Sequence, residues 1–202
     1  MPTFDLHQHL WPASFVSALR GRTTPPFLAR DELVTREGRF RLDLAQHDPE
    51  TRLKALDRCG IDVAALTLQP SLGLDDLSDD ERTVLEETWV EGVTELVAAS
   101  SGRLLAFSPT HPRAGFVGIS LGSSSFADFD RSASVLDTAA ADNTLVFVHP
   151  DAGRAPDPSR PDWWEWVVGY PSRMQEAYLA WLAAGRERWP TLRVLFAMLG
   201  GG

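Results

Sequence analysis

Cysteine is scarce in this sequence, and its scarcity excludes several kinds of site. The 202 residues contain one cysteine, Cys59, so an intramolecular disulfide and a zinc site built from paired cysteines are both excluded. Cys59 ends the amphipathic segment ETRLKALDRCG, where we expect it to be a small buried apolar residue. A catalytic thiol is the less common alternative at such a position.

Positive charge and long apolar runs are also lacking. Lys and Arg number 19 against 28 Asp and Glu, which gives a net charge of −9, and the arginines are scattered along the chain. A broad basic face for nucleic acid is therefore not expected. No apolar run is long enough to cross a bilayer, and the N-terminus lacks a basic segment followed by an apolar one. We expect a cytoplasmic protein without nucleic-acid or membrane partners.

The sequence does contain short apolar runs that alternate with helical patterns. Several runs are apolar on both faces, which is typical of strands in a covered parallel sheet. The runs are residues 3–10, 61–70, 103–110, 116–122, 144–150 and 192–199, and the helical patterns are 49–59, 79–100, 131–142 and 171–189. This repeated order predicts an α/β fold with parallel strands, formed by one domain over residues 1–202.

Two segments interrupt the alternation. Residues 12–46 contain a helix candidate at 12–20 and then ELVTREGRFRLD, which predicts a β-hairpin around a glycine-containing turn. The second segment follows the run at 144–150, is rich in proline and ends in DWWEW (162–166). We expect those tryptophans to pack against the fold, with a substrate lid as the alternative. Both segments leave the C-terminal ends of strands, the edge where α/β folds build their sites.

Two histidines stand close together at the end of the first run. His7 and His9 are two residues apart, so on a strand they share a face, with Asp5 below them. Two neutral imidazoles on one face can bind the same divalent ion. The alternative is one hydrogen-bonded core histidine and one exposed histidine, and the pair alone does not decide between them.

A third histidine strengthens the metal interpretation. His149 follows the apolar run TLVFV, again at the C-terminal end of a predicted strand. With His7 and His9 it predicts a three-nitrogen metal site at one edge of the sheet. His47 is expected to precede or cap the helix at 49–59, with Asp48 the better N-cap.

Three further residues are candidate substrate contacts: Trp11, Arg52 and His111. Arg52 lies one turn into the helix at 49–59 and could bind an anion, although a surface arginine is the simpler interpretation of its position. His111, in SPTHP, could line the pocket, but a loop position before Pro112 is the more common one.

With these features in place, the sequence resembles the amidohydrolase superfamily. More narrowly it is similar to the amidohydrolase-related branch that includes aminocarboxymuconate-semialdehyde decarboxylase and related decarboxylases and hydrolases. The resemblance runs from near residue 3 to the end of the chain and rests on six segments. They are DLHQH, RLKALDRCGIDVAALT, GRLLAFSPTHP, GFVGISLG, LVFVHP and WPTLRVLFAMLGGG.

The resemblance implies a distorted TIM barrel with one divalent metal ion at its C-terminal face, zinc in the first place and manganese as the alternative. His7, His9 and His149 match the three histidine ligands of the family, whose fourth ligand is an aspartate at the end of the eighth strand. Arg52 lies near the position of an arginine that contacts the substrate carboxylate in decarboxylases of this kind.

The sequence departs from the family in two respects. Where the sixth strand commonly ends in a catalytic histidine, this chain has Met198, whose thioether has no proton to transfer and is a poor zinc ligand. The sequence also stops at Gly202, after the sixth strand, whereas an eight-stranded barrel takes about 250 residues. We expect a barrel truncated from a longer ancestor, with a covering partner chain or the loss of two strands as alternatives.

These features favour a metal-dependent hydrolase, in which a metal-activated water attacks a small carbonyl-containing substrate. Non-oxidative decarboxylation of a small carboxylic acid is one alternative, and a non-catalytic remnant is another. The sequence assigns no residue to proton transfer. It is compatible with a homo-oligomer.

Overall fold

The structure is a computed structural model that describes residues 1–152, 157, 159–161 and 163–197. The chain divides into two units, the first formed by residues 1–68 and 73–107 and the second by residues 69–72 and 108–202. The prediction of one domain over residues 1–202 stays a prediction.

The first unit combines parallel strands with helices and a small antiparallel sheet. In chain order it contains β1 (Phe4–Gln8), α1 (Ala13–Arg20), β2 (Phe27–Ala29), β3 (Glu32–Thr35), β4 (Gly38–Arg41), α2 (Pro49–Cys59), β5 (Val63–Leu66), α3 (Asp79–Ala99) and β6 (Leu104–Pro109), whose last two residues are assigned to the second unit. β5 pairs in parallel with β1 and with β6, and β3 pairs antiparallel with β2 and β4. The predicted hairpin after the first strand is thus confirmed as β3 and β4, while β2 was not predicted.

Local signals set the limits of α2. The Asp48 carboxylate accepts a hydrogen bond from the Thr51 backbone N–H at 2.7 Å, Pro49 occupies the first turn, and Gly60 ends the helix at φ 66°. Both predicted limits and the Asp48 cap are confirmed. The expectation of a buried Cys59 is wrong. Cys59, the last residue of the helix, is exposed, whereas Leu56 is buried.

The second unit repeats the parallel β/α arrangement. In chain order it contains β7 (Gly118–Gly122), α4 (Ser123–Ala127), α5 (Phe129–Ala141), β8 (Leu145–His149), α6 (Tyr170–Ala180), α7 (Arg186–Arg188) and β9 (Val194–Phe196). π-helical turns at Glu165–Gly169 and Trp181–Gly185 extend α6 at both ends, so the helix starts before the predicted residue 171. β8 pairs in parallel with β7 and β9. The α/β class with parallel strands is confirmed, and α4 was not predicted.

Burial in the second unit follows the apolar pattern of the strands. All five residues of β7 are buried, and β8 is buried from Val146 onward, as expected for strands covered on both faces. Residues 198 and 199 of the predicted last strand lie outside the described residues. Among the residues that are described, no helix is both long enough and apolar enough to span a bilayer.

The tryptophans of DWWEW do not occupy core positions. Trp163 and Trp166 are 50% and 42% exposed, so the expectation that they pack against the fold is wrong for these two rings. The Arg160 guanidinium lies over the Trp164 ring, with its Cζ atom 5.0 Å from the ring centroid. A tryptophan is large enough to bury part of its ring while the rest stays in water. Asp162 lies outside the described residues, and the substrate-lid interpretation stays a prediction.

A hydrogen bond to His47 holds the chain where it leaves β1. The Trp11 backbone N–H donates to His47 Nδ1 at 2.9 Å, and the two rings stack with centroids 4.6 Å apart. Burial and, secondly, the charge of Arg52 lower the pKa of His47 to about 4, against the opposing effect of Asp43. The imidazole is therefore neutral at pH 7, and Nδ1 keeps the lone pair that Trp11 needs.

The lowered pKa of the buried His47 predicts a pH-dependent part of the stability. The histidine titrates near 6.5 in the unfolded chain and near 4 in the folded one, so the unfolded state binds more protons between these values. The contribution is complete above pH 6.5 and is lost as the pH falls toward 4. Urea unfolding at a series of pH values should show the free energy of unfolding decreasing through this window.

Two variants separate His47 from the other histidines. His47→Asn keeps an acceptor oxygen near the Nδ1 position and should flatten the pH slope by up to one proton, whereas His47→Ala should lower stability at every pH. An unchanged slope in His47→Asn would show that His47 is not responsible.

Candidate metal centre

The structure brings His7 and His9 together, as their spacing predicts. Their Nε2 atoms lie 3.2 Å apart, and the rings meet edge to face with centroids 4.9 Å apart. His7 is on β1, and His9 follows the end of that strand. The alternative of one core and one exposed histidine is thus wrong, since both rings are partly buried and in contact.

An irregularity in β1 accompanies this arrangement. Asp5 is paired with Ala64, but Gln8 is paired with Leu66, so β1 has one more residue than β5 over this stretch. The Asp5 carboxylate accepts hydrogen bonds from the His7 backbone N–H at 3.0 Å and from the Gln8 side-chain amide at 2.5 Å. The Asp5 carboxylate therefore stabilises the irregular backbone of β1.

The second ring nitrogen of His9 is fixed by the backbone. His9 Nδ1 lies 3.0 Å from the carbonyl oxygen of Thr67, which can only accept, so Nδ1 carries the proton and Nε2 the lone pair. Burial lowers the pKa of His9 to about 4 and outweighs the effect of the Thr67 hydrogen bond. Burial also lowers the pKa of His7, against the attraction of Asp5. Both rings are neutral at pH 7, the form that binds metal.

The spacing of the two nitrogens suits a shared ion. Two nitrogens that each lie about 2.1 Å from one ion, at a roughly tetrahedral angle, are about 3.4 Å apart. The observed 3.2 Å is close to this value. A carbonyl that orients the far nitrogen, as Thr67 does for His9, is the usual support of a histidine ligand. The donor set of the first unit therefore fits a divalent metal.

His149 lies in the second unit with a similar local arrangement. It is the last residue of β8, it is buried, and it is paired with Gly122 at the end of β7. Its Nδ1 lies 2.6 Å from the carbonyl oxygen of Pro150, so this nitrogen carries the proton and Nε2 the lone pair. His149 thus has the tautomer found for His9.

Arg52 is half-buried, unlike an ordinary surface arginine. Its guanidinium donates to the Gln8 side-chain oxygen and to the Gln46 carbonyl oxygen, the latter at 2.8 Å. Burial lowers its pKa, against the attraction of Asp5. Through its bond to Gln8, the residue between His7 and His9, the cation lies beside this part of the chain.

Trp11 is buried and borders a cavity of the first unit. The cavity has a volume of about 530 Å³ and lies among α1, the turn before α2, and α3. Trp11 and His47 line it, but neither His7 nor His9 is among the described residues that do. The contact between His47 and Trp11 is not evident from the sequence, which shows only that His47 stands next to Asp48, the N-cap of the helix that carries Arg52.

His111 and Met198 are the remaining residues that the sequence singles out. His111 is exposed in the loop after β6, where its backbone N–H donates to the Pro109 carbonyl oxygen at 2.8 Å. Its side-chain Nδ1 lies 3.2 Å from the Thr110 hydroxyl. Met198 lies outside the described residues. The roles of Trp11 and His111 in substrate binding stay predictions.

Comparison with known proteins identifies structures of similar fold. No protein-family model and no curated protein matches the sequence. An amidohydrolase II structure superposes with a TM-score of 0.68 at 17% identity, over 95% of this chain and 65% of its own. The 5-carboxyvanillate decarboxylase of Sphingomonas paucimobilis gives a TM-score of 0.68 at 16% identity, over 96% and 67%.

A third structure contains ligands. The 5-carboxyvanillate decarboxylase of Novosphingobium aromaticivorans, solved with manganese and 4-hydroxy-3-methoxy-5-nitrobenzoic acid, matches with a TM-score of 0.68 at 17% identity. The match covers 96% of this chain and 64% of that one. This chain thus spans about two thirds of the length of the structures it matches. Over that length it has the α/β, TIM-barrel-like fold of amidohydrolases and related decarboxylases, as the resemblance implied.

Proposed function

We propose that this chain is a metal-dependent hydrolase in which His7, His9 and His149 bind one divalent ion. The observation that carries the proposal is the 3.2 Å separation of the His7 and His9 Nε2 atoms. Two neutral imidazoles in this position can share either a proton or a cation, and three histidines are a common ligand set for zinc. Zinc is proposed first, and manganese is the alternative that the Novosphingobium decarboxylase suggests.

His149 is proposed as the third ligand for chemical and topological reasons. In both His9 and His149 a backbone carbonyl holds the proton on Nδ1, which leaves Nε2 as the donor. Both residues also stand at the C-terminal ends of parallel strands, where α/β barrels bind their metals and substrates.

Each residue of the proposed site has a distinct role. The ion, when bound, would act as a Lewis acid toward water and a substrate carbonyl. His9 and His149 keep their Nδ1 protons on Thr67 and Pro150, so neither is suited to transfer a proton during the reaction. Arg52, a cation bonded to the intervening Gln8, would bind an anionic group of a small-molecule substrate. The residue that moves the proton is unassigned.

Decarboxylation is the second candidate, and two observations favour it. Arg52 is half-buried rather than a surface arginine, which suits a carboxylate contact. Solved decarboxylases of aromatic acids also have the same fold at TM-scores of up to 0.68. Their identities of 16–17% support the fold alone, and hydrolysis remains the proposal because the usual acid or base position holds Met198.

Metal binding is the first test. The chain is first treated with a chelator. Titration with Zn²⁺, monitored by calorimetry, and with Mn²⁺, monitored by electron paramagnetic resonance, should then give about one bound ion per chain. His7→Ala and His9→Ala should each abolish binding, because each removes one of three nitrogens. His111→Ala, which removes an exposed imidazole, should leave the stoichiometry unchanged.

Two results would contradict the proposal. A wild-type chain that binds neither ion cannot use this chemistry, and a double His7→Ala, His9→Ala variant that still binds would show that the ligands lie elsewhere. A chain that binds the ion but converts neither esters, amides and lactones nor aromatic carboxylic acids would support the non-catalytic alternative.

Arg52→Gln tests whether the substrate carries a carboxylate, and the product released then separates the two reactions. If the substrate is a carboxylate, Arg52→Gln should raise KM about 10-fold or more, the loss of roughly 1.5–3 kcal/mol for a charged hydrogen bond. Neutral esters and amides should be affected much less. Arg58→Gln, on the exposed part of the same helix, is the matched control. Release of carbon dioxide, rather than of an alcohol or amine, would establish decarboxylation.

A further inference from the structure

The carboxylate of Asp151, two residues after His149, has a bonding partner at each of its two oxygens. Its Oδ1 accepts a hydrogen bond from the Ser123 hydroxyl at 2.8 Å, and its Oδ2 accepts one from the Ser124 backbone N–H at 2.7 Å. Arg173 Nε forms an ion pair with Oδ1 at 3.3 Å. The Asp151 side chain is 12% exposed, so these contacts compensate a charge that is largely removed from water.

Arg173 connects Asp151 to the helix that follows it. Its guanidinium also bonds the Glu165 carboxylate and lies over the Tyr170 ring, 5.1 Å from the ring centre. Its Nη2 donates weakly to the Asp151 carbonyl oxygen at 3.5 Å. One arginine thus contacts both the side chain and the backbone of Asp151.

Gly122 provides the space for this arrangement. It is paired with His149 across β7 and β8, so Asp151 passes directly over the end of β7. A Cβ atom at position 122 would lie 2.9 Å from the Asp151 Cβ and 3.2 Å from Oδ2. The close approach therefore requires glycine, and it fixes the chain after His149 against the chain after Gly122.

The orientation of His149 depends on the same stretch of backbone. The carbonyl that accepts from His149 Nδ1 belongs to Pro150, and it lies in the peptide group that joins Pro150 to Asp151. Because a peptide group is planar, holding Asp151 in place also holds the direction of that carbonyl. The carbonyl in turn keeps the proton on Nδ1 and leaves the lone pair on Nε2.

We propose that Asp151 is a positioning residue for His149: by bonding Ser123, Ser124 and Arg173 it fixes the Pro150 carbonyl, which sets the tautomer and orientation of the imidazole. This inference rests on the proposed function, in which His149 is a metal ligand. Asp151 is assigned this supporting role rather than a place among the ligands, because its carboxylate bonds Ser123, Ser124 and Arg173 of the second unit.

Asp151→Asn tests the inference. The asparagine can still accept from Ser123, but its NH₂ group faces the Ser124 N–H, and it carries no charge for Arg173. We expect the affinity for Zn²⁺ or Mn²⁺ to fall about 10- to 100-fold, as for other residues that orient metal ligands. In the metal-free chain, ¹⁵N-edited NMR should show the His149 Nδ1–H resonance lost or shifted.

Two further variants keep the test decisive. Ser123→Ala removes one hydrogen bond and should give a smaller loss of affinity in the same direction, even if Asp151→Asn fails to fold. Asp130→Asn, an exposed carboxylate in the first turn of α5, should change neither the affinity nor the NMR resonance.

The outcomes distinguish this inference from the proposed function. A wild-type chain that binds no ion overturns the proposed function, while the NMR comparison of metal-free Asp151→Asn and wild type still decides whether Asp151 orients His149. If the Nδ1–H resonance is the same in wild type, Asp151→Asn and Ser123→Ala, Asp151 does not position His149 and the inference is wrong.

Discussion

The hydrogen bond from His9 Nδ1 to the Thr67 carbonyl is the interaction on which the candidate site depends. It fixes which ring nitrogen carries the proton, and so it directs the lone pair of Nε2 toward His7. Burial then keeps both rings neutral, since a charged imidazole loses its hydration there. Without this bond the ring could adopt the other tautomer or rotate, and the short nitrogen–nitrogen distance would no longer favour a cation.

In each unit, the orienting group comes from backbone at the end of a parallel strand. Thr67 directly follows β5, and Pro150 directly follows β8. A carbonyl at this position is beyond the regular ladder and can accept from a side chain. The strand ends therefore supply both the histidines and the acceptors that orient them, which is a physical reason for the location of sites at this edge.

Sequence patterns predicted the regular parts of the fold because their signals are local. Asp48, Pro49 and Gly60 define α2 within a few residues, and the spacing of His7 and His9 sufficed to place two rings on one face. β2 was missed because three residues carry too little alternation to be recognised. The exposure of Cys59 depends on which helical turns are covered, and helical periodicity alone does not contain that information.

The parts of the site that were not predicted involve residues far apart in the chain. Arg173 is 22 positions from Asp151, and Ser123 is 28 positions before it, so neither spacing corresponds to a helix or strand period. The same applies to the stacking of His47 on Trp11, which lies 36 positions earlier. Such contacts follow from the packing of elements and cannot be read from the order of residue types.

The exposed position of Cys59 has a practical consequence. It is the one cysteine in the sequence, and it ends the helix on which Arg52 lies. A thiol-reactive fluorophore or spin label would therefore attach at a single place without any engineered substitution. The unmodified protein thus offers a spectroscopic reporter on α2, through which movement of the Arg52 helix could be followed when a small molecule binds.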